Sequence, residues 1–128
     1  MNTSFKPSGY STVSPYLIVD GARRTIDFLV KVFNAEPLRL FPDGAGRLLH
    51  SEVKIGDTVV MIADAGDGWP PVNTNVHVYV ADVDATYQAA IEAGATSLQV
   101  PVKKADEDKR GGVLDPCGTT WWIATKVK

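Results

Sequence analysis

Tyr16, Leu17, Ile18 and Val19 form a compact apolar run that reads as a strand, broken by Asp20, Gly21 and Ala22. Apolar residues then recur at Ile26, Leu29, Val30 and Phe33. That i, i+3, i+4, i+7 spacing predicts an amphipathic helix over Arg23 to Phe33. Asn34 and Ala35 end it, and Pro37 bars its resumption. Leu38 to Phe41 reads as a short edge strand closed by Pro42, Asp43 and Gly44. Arg47 to Ile55 and Thr58 to Ala63 flank Gly56-Asp57 and predict a β-hairpin, the order Gly-Asp fitting a II′ turn better than I′.

Residues 64–74 are rich in Gly, Pro and Asp and read as the longest linker, after which the order of elements starts over. Asn75 to Ala81 is a predicted strand, Asp82 caps a helix running to Glu92, Gly94 stops it, and Leu98 to Val102 is another edge strand. A charged loop, Lys103 to Lys109, precedes two strands, Gly111 to Asp115 and Thr119 to Thr125. The pattern β-α-β-β-β thus occurs twice, offset by about 60 residues, which suggests duplication of one supersecondary unit. The expected fold class is α+β, with residues 1–12 a flexible N-terminus, 13–63 the first module, 64–74 a linker and 75–128 the second module. Each module is too small to bury its sheet alone, so the two are expected to share one structural domain. A ferredoxin-like sandwich is the alternative, but it has fewer strands per helix.

Period-2 alternation assigns faces, because each sheet must turn its apolar side to its one helix. Val76, Val78 and Val80 form one set, with Asn75, His77 and Tyr79 opposite. The same reading puts Leu49, Val53 and Ile55 under the first helix and Leu48, His50, Glu52 and Lys54 on the other side. In the last strand Trp122 and Ala124 lie opposite Trp121 and Ile123. Both halves therefore predict a polar face bearing aromatics, either ordinary solvated sheet surface or the lining of a cleft. Tyr16, Tyr79 and Trp122 are large side chains to leave exposed, which favours the cleft.

The chain of 128 residues carries 13 Lys plus Arg against 15 Asp plus Glu, a formal charge of −2. Its hydrophobic fraction of 45% suffices for a core and excludes disorder as the main state. No Lys/Arg cluster is longer than pairs such as Arg23-Arg24 and Lys103-Lys104, so nucleic acid is not an expected partner. No apolar run approaches the roughly 20 residues of a membrane helix, and no membrane partner is expected. Cys117 is the single cysteine and cannot form an internal disulfide. With no secretory-type leader in the first residues, a cytoplasmic location is expected.

The order and spacing of several motifs resemble the vicinal oxygen chelate superfamily, which includes glyoxalase I, extradiol dioxygenases and bleomycin-resistance proteins. They are Pro15 to Asp20 before a helix ending Phe33-Asn34-Ala35, His50-Ser51-Glu52 ahead of Ile55-Gly56-Asp57, Asp82-Val83-Asp84, Ala93-Gly94-Ala95, and Asp115-Pro116-Cys117-Gly118 before Trp122. The resemblance spans about residues 13 to 126 and is nearest to the PhnB-like branch. It implies two βαβββ modules whose sheets curl around a shared cleft, commonly in a homodimer whose modules may pair within or between chains. It also implies four metal-ligand positions, which fall at Ser14, Met61, Asn75 and Trp122. None is His, Glu or Asp, and a Trp indole or Met sulfur is no ligand for a hard divalent ion, so no metal residues are expected.

Candidate chemistry therefore sits elsewhere on the polar faces. His50 and Glu52, at i and i+2 of one strand, point the same way, and a neighbouring carboxylate would orient the imidazole for proton transfer. A solvated pair is the plain alternative. His77 shares its face with Asn75 and Tyr79, which leaves open a displaced divalent-metal site made of His50, Glu52 and His77. Arg110 would clamp a carboxylate or phosphonate if it faced the cleft, or else belongs to a solvated charge run. Tyr16, Trp69, Tyr79 and Trp122 would line a pocket for a flat aromatic ligand, with Trp69 acting as a lid. The function expected is a small-molecule-binding protein or metal-independent enzyme, with no cofactor. A metal-dependent lyase or dioxygenase and a drug-sequestering resistance protein remain the alternatives.

Overall fold

The computed structural model describes residues 5–128. The first module runs β1 (Tyr16–Val19), α1 (Ala22–Phe33), β2 (Glu36–Pro42), β3 (Leu48–Ile55) and β4 (Thr58–Asp64). The second runs β5 (Asn75–Tyr79), α2 (Val83–Glu92), β6 (Thr96–Lys103), β7 (Asp108–Leu114) and β8 (Thr120–Lys126). Their four-stranded sheets have the orders β1-β4-β3-β2 and β5-β8-β7-β6, so the two topologies are the same. β1 and β5 each pair in parallel with the last strand of their own module, and the other pairings are antiparallel.

Local chemistry explains the boundaries. Asn34 takes a left-handed conformation at the end of α1, and the Asp82 side chain accepts from the Ala85 N–H at the start of α2. Gly56 has φ +57 while Asp57 does not adopt a positive φ, as a II′ turn requires. The Asp64 carboxylate accepts from the N–H groups of Gly21, Ala22 and Leu48, tying the start of α1 to the sheet. Burial alone would raise its pKa, but these donors and the charge of Arg47 hold it below the ordinary value. The charged loop is shorter than expected, because β7 already begins at Asp108.

One core spans both modules. Leu17, Val19 and Leu29 from the first are continuous with Val113, Trp121 and Ile123 from the second, and Phe33 packs its ring 5.3 Å from that of Trp121. Helix α1 packs on α2. The helices thus join the modules, and within one chain the two helix-free sheet faces do not close on each other. Val76, Val78 and Val80 pack against the core only in part. They border an open groove of about 680 Å³ between the modules, with Phe33, Ile55 and Trp121.

The face assignment in β3 needs a correction. Leu48 is fully buried and Leu49 is 66% exposed, the reverse of the expectation. Phe41 pairs with His50 but Pro42 pairs with Leu48, so Leu49 is an extra bulged residue. Pro42 has no N–H to extend the ladder there, and the bulge flips the alternation beyond it. His50 and Glu52, below the bulge, keep the helix-free side.

Candidate functional site

Register places the two helix-free faces in correspondence. Tyr16 lies beside Met61, and Met61 beside Glu52. His77 lies beside Trp122, and Trp122 beside Gly112. Tyr16 is therefore the counterpart of His77, Met61 of Trp122, Glu52 of Gly112 and His50 of Arg110. A side-chain contact recurs at the matching places: Tyr16 Oη to His50 Nδ1 at 3.1 Å, and Arg110 Nε to His77 Nε2 at 3.0 Å.

On the N-terminal face Glu52 is the anchor. Its carboxylate, 3% exposed, meets His50 Nε2 at 2.8 Å, accepts the Tyr10 hydroxyl at 2.5 Å and lies 3.3 Å from Arg39 Nε. Burial pushes the Glu52 pKa up, but the hydrogen bonds from Tyr10 and His50 and the Arg39 charge outweigh it and hold the carboxyl below its ordinary value. The same bond to Glu52 raises the Tyr10 pKa, so Tyr10 stays a phenol and a donor. Arg39 also donates to Tyr10 Oη at 2.8 Å and sits 4.8 Å above that ring. Tyr10 and Ser11, whose Oγ accepts from the Val59 N–H, are thus tied to the first sheet, while residues 1–4 of the N-terminal segment expected to be flexible lie outside the described residues.

The C-terminal face is organised around Arg110 and Trp122. The Arg110 guanidinium reaches Asp108 at 2.8 Å, Asp106 at 3.2 Å and His77, so its three nitrogens are all engaged. These contacts hold Arg110 in place and use three of its five N–H donors. Burial first, then the Arg110 charge, lowers the His77 pKa, favouring a neutral ring. Tyr79 donates to Asp108 at 2.6 Å, with its ring 4.8 Å from that of His77. The Trp122 indole lies flat over Gly112, where an added Cβ would stand 2.4 Å from its ring. Its N–H donates to Asn75 Oδ1 at 3.0 Å, fixing the plane of the ring.

These positions test the metal expectation directly. The Trp122 N–H is a donor with no lone pair to give, the Asn75 oxygen already accepts it, and Met61 offers a thioether. This donor set does not fit a divalent ion needing three or four N or O ligands. The displaced arrangement of His50, Glu52 and His77 is not assembled: His50 and Glu52 meet, but His77 is on the other sheet against Arg110. Among the described residues no group of three or more His, Cys, Asp or Glu side chains is placed to hold a metal. Trp69 does not join either face; half exposed, it borders a separate shallow cleft with Asp43, Arg47 and Leu49.

Sequence reading missed Tyr10, Arg39, Asp108 and Gly112. For Asp108 a signal existed, since it alternates with Arg110 at i and i+2 on the same face. For Tyr10 there was none, because its partner Glu52 is 42 positions away.

A profile of the Glyoxalase/Bleomycin resistance protein/Dioxygenase superfamily matches residues 11–123. An uncharacterized protein of Mycobacterium bovis is 35% identical over 127 residues, covering 91% of this chain and 84% of that protein. Among solved structures, TioX from a Micromonospora species superposes with a TM-score of 0.77 at 25% identity, covering 91% of this chain and 98% of that one. TnmS3, described as an antibiotic binding protein from a Streptomyces species, has a TM-score of 0.67 at 22% identity, with 91% and 99% covered.

Proposed function

This chain belongs to the glyoxalase/bleomycin resistance protein/dioxygenase superfamily, and from that premise we propose that it is a small-molecule-binding protein or metal-independent enzyme whose ligand rests on the helix-free sheet faces. The observation that carries the reading is the exchange at the metal positions. Two of them, Trp122 and Asn75, hydrogen-bond each other and hold an indole flat over Gly112, which makes a stacking platform where a cation would sit. The neighbouring face supplies acid–base groups at His50 and Glu52.

Because α1 and α2 join the modules, the two faces of one chain do not close on each other. A second copy would set the N-terminal face of one chain against the C-terminal face of the other and cover exposed apolar residues such as Phe41 and Tyr79. We therefore read the protein as a homodimer. The His50-Ser51-Glu52 motif and Arg110 support the PhnB-like branch, and a single free cysteine suits a cytoplasmic setting. Drug sequestration is the second reading, favoured by the description of TnmS3 as an antibiotic binder.

The test is a fluorescence titration of intrinsic Trp with two planar probes, 9-aminoacridine (cationic) and anthraquinone-2-sulfonate (anionic). Saturable binding of either, weakened about tenfold by Trp122→Ala through loss of ~1.5 kcal/mol of stacking, is the expected result. No saturable binding of either probe, or affinity unchanged by the substitution, would overturn the proposal.

A further inference from the structure

The hydrogen-bond chain on the N-terminal face has a polarity fixed by its buried end. Glu52 is ionised and can only accept, so His50 Nε2 must carry the proton it shares at 2.8 Å. A neutral imidazole has one N–H, which leaves Nδ1 as an acceptor. Tyr16 Oη, 3.1 Å away, must then donate to Nδ1. The outward end of the chain is therefore the lone-pair side of the Tyr16 oxygen, on a residue 45% exposed.

We propose that the N-terminal face is a proton-accepting subsite for neutral ligands that carry a weakly acidic O–H or N–H, with Tyr16 Oη as the contact atom and His50 as the group that ends up holding the proton. This rests on the small-molecule reading above and specifies the ligand's chemistry. The ligand's O–H or N–H donates to Tyr16 Oη. As that proton passes to the tyrosine oxygen, the Tyr16 hydroxyl proton passes to His50 Nδ1, so the ligand becomes an anion and the imidazole an imidazolium. No bond other than these O–H and N–H bonds changes, and no oxidant or further reactant is needed. The imidazolium is held by the Glu52 carboxylate, with Tyr10 and Arg39 on its other side and the Phe41 ring 6.1 Å away. The Glu52 carboxylate is in place before the transfer, so no group has to reorganise around the new charge.

The other module does not repeat the device. Arg110 can only donate, so His77 Nε2 accepts and its proton sits on Nδ1, which makes that end of the pair a donor. A proton arriving at His77 would meet the fixed guanidinium charge. The duplicated faces thus have opposite polarity, an acceptor on one and a donor on the other.

The experiment uses methyl 4-hydroxybenzoate, whose phenolate absorbs at longer wavelength than its phenol, at a pH above the ordinary imidazole range where the free compound is still mostly protonated. Bound fraction is followed in parallel by quenching of intrinsic Trp. The expected result is a saturable rise in phenolate absorbance with added protein. His50→Gln keeps an acceptor and a donor in place but cannot take a proton, so it should abolish the absorbance rise. Tyr16→Phe should do the same, and both variants should keep binding within about tenfold, since one exposed neutral hydrogen bond contributes little net. Binding without ionisation in the native protein overturns this inference while leaving the small-molecule reading intact. Ionisation that persists unchanged in His50→Gln also overturns it. Absence of any binding counts against both.

Discussion

Gly112→Ala isolates the packing on which the Trp122 platform depends. The added methyl would stand 2.4 Å from Trp122 Cζ3 and 2.6 Å from Cε3, whereas ordinary carbon contacts need about 3.5 Å, so the indole must lift by roughly 1 Å or swing away. Gly112 does not have a positive φ, so the backbone accepts alanine and the effect is steric. Overpacking of this kind costs ~1 to 3 kcal/mol, here toward the low end because one side of the ring is open. Loss of the Trp122 bond to Asn75 adds ~1 kcal/mol, and the stiffer unfolded chain returns ~0.5 kcal/mol. The net is a loss of about 2 kcal/mol, or about 8 °C in melting temperature for a chain of this size. Urea unfolding followed by far-UV circular dichroism measures the stability, and near-UV circular dichroism reports the Trp122 setting. Gly66→Ala is the control, because its Cβ would meet nothing nearer than Arg47 Nη2 at 3.8 Å. A Gly112→Ala protein within ~0.5 kcal/mol of the parent, the scatter of neutral surface changes, with an unchanged near-UV spectrum, would refute the reasoning.

Three further predictions come from polar groups in the fold. Asp64→Ala strips the partner from the N–H groups of Gly21, Ala22 and Leu48 and should cost about 3 kcal/mol in chemical unfolding, with Asp64→Asn recovering part of it. Thr119 Oγ1 is buried without a hydrogen-bond partner among the described residues; Thr119→Val should raise stability by ~1 kcal/mol, and a fall would show that the hydroxyl is satisfied. Glu52 and Asp64 have folded-state pKa values below their ordinary 4.5 and 3.8, so the stability they contribute is present above those values and is lost as pH falls through the lower folded ones. His77, also lowered, adds a shallow decline that begins as pH falls through its ordinary 6.5. Unfolding across an acid series should show both, and Glu52→Gln should flatten the more acidic part; an identical profile in that variant would contradict the assignment.

The duplicated module, the two helices and the hairpin at Gly56 were legible in the chain because each depends on residues close in sequence: apolar spacing, a capping aspartate, a glycine at a turn. The faces of β5 and β8 followed from alternation for the same reason. His50 and Glu52 could be placed together because i and i+2 on a strand must share a side. What alternation could not see was the bulge at Leu49, since an inserted residue shows itself only against the partner strand, where Pro42 breaks the ladder. Docking of Tyr10 on Glu52, and the contact of Arg110 with His77, depend on side chains from distant elements meeting. The largest difference lies between the modules. Helix α1 is amphipathic by pattern, but packing it on α2, rather than closing the sheets on each other, is a choice among ways of burying the same apolar area, and only the tertiary contacts decide it.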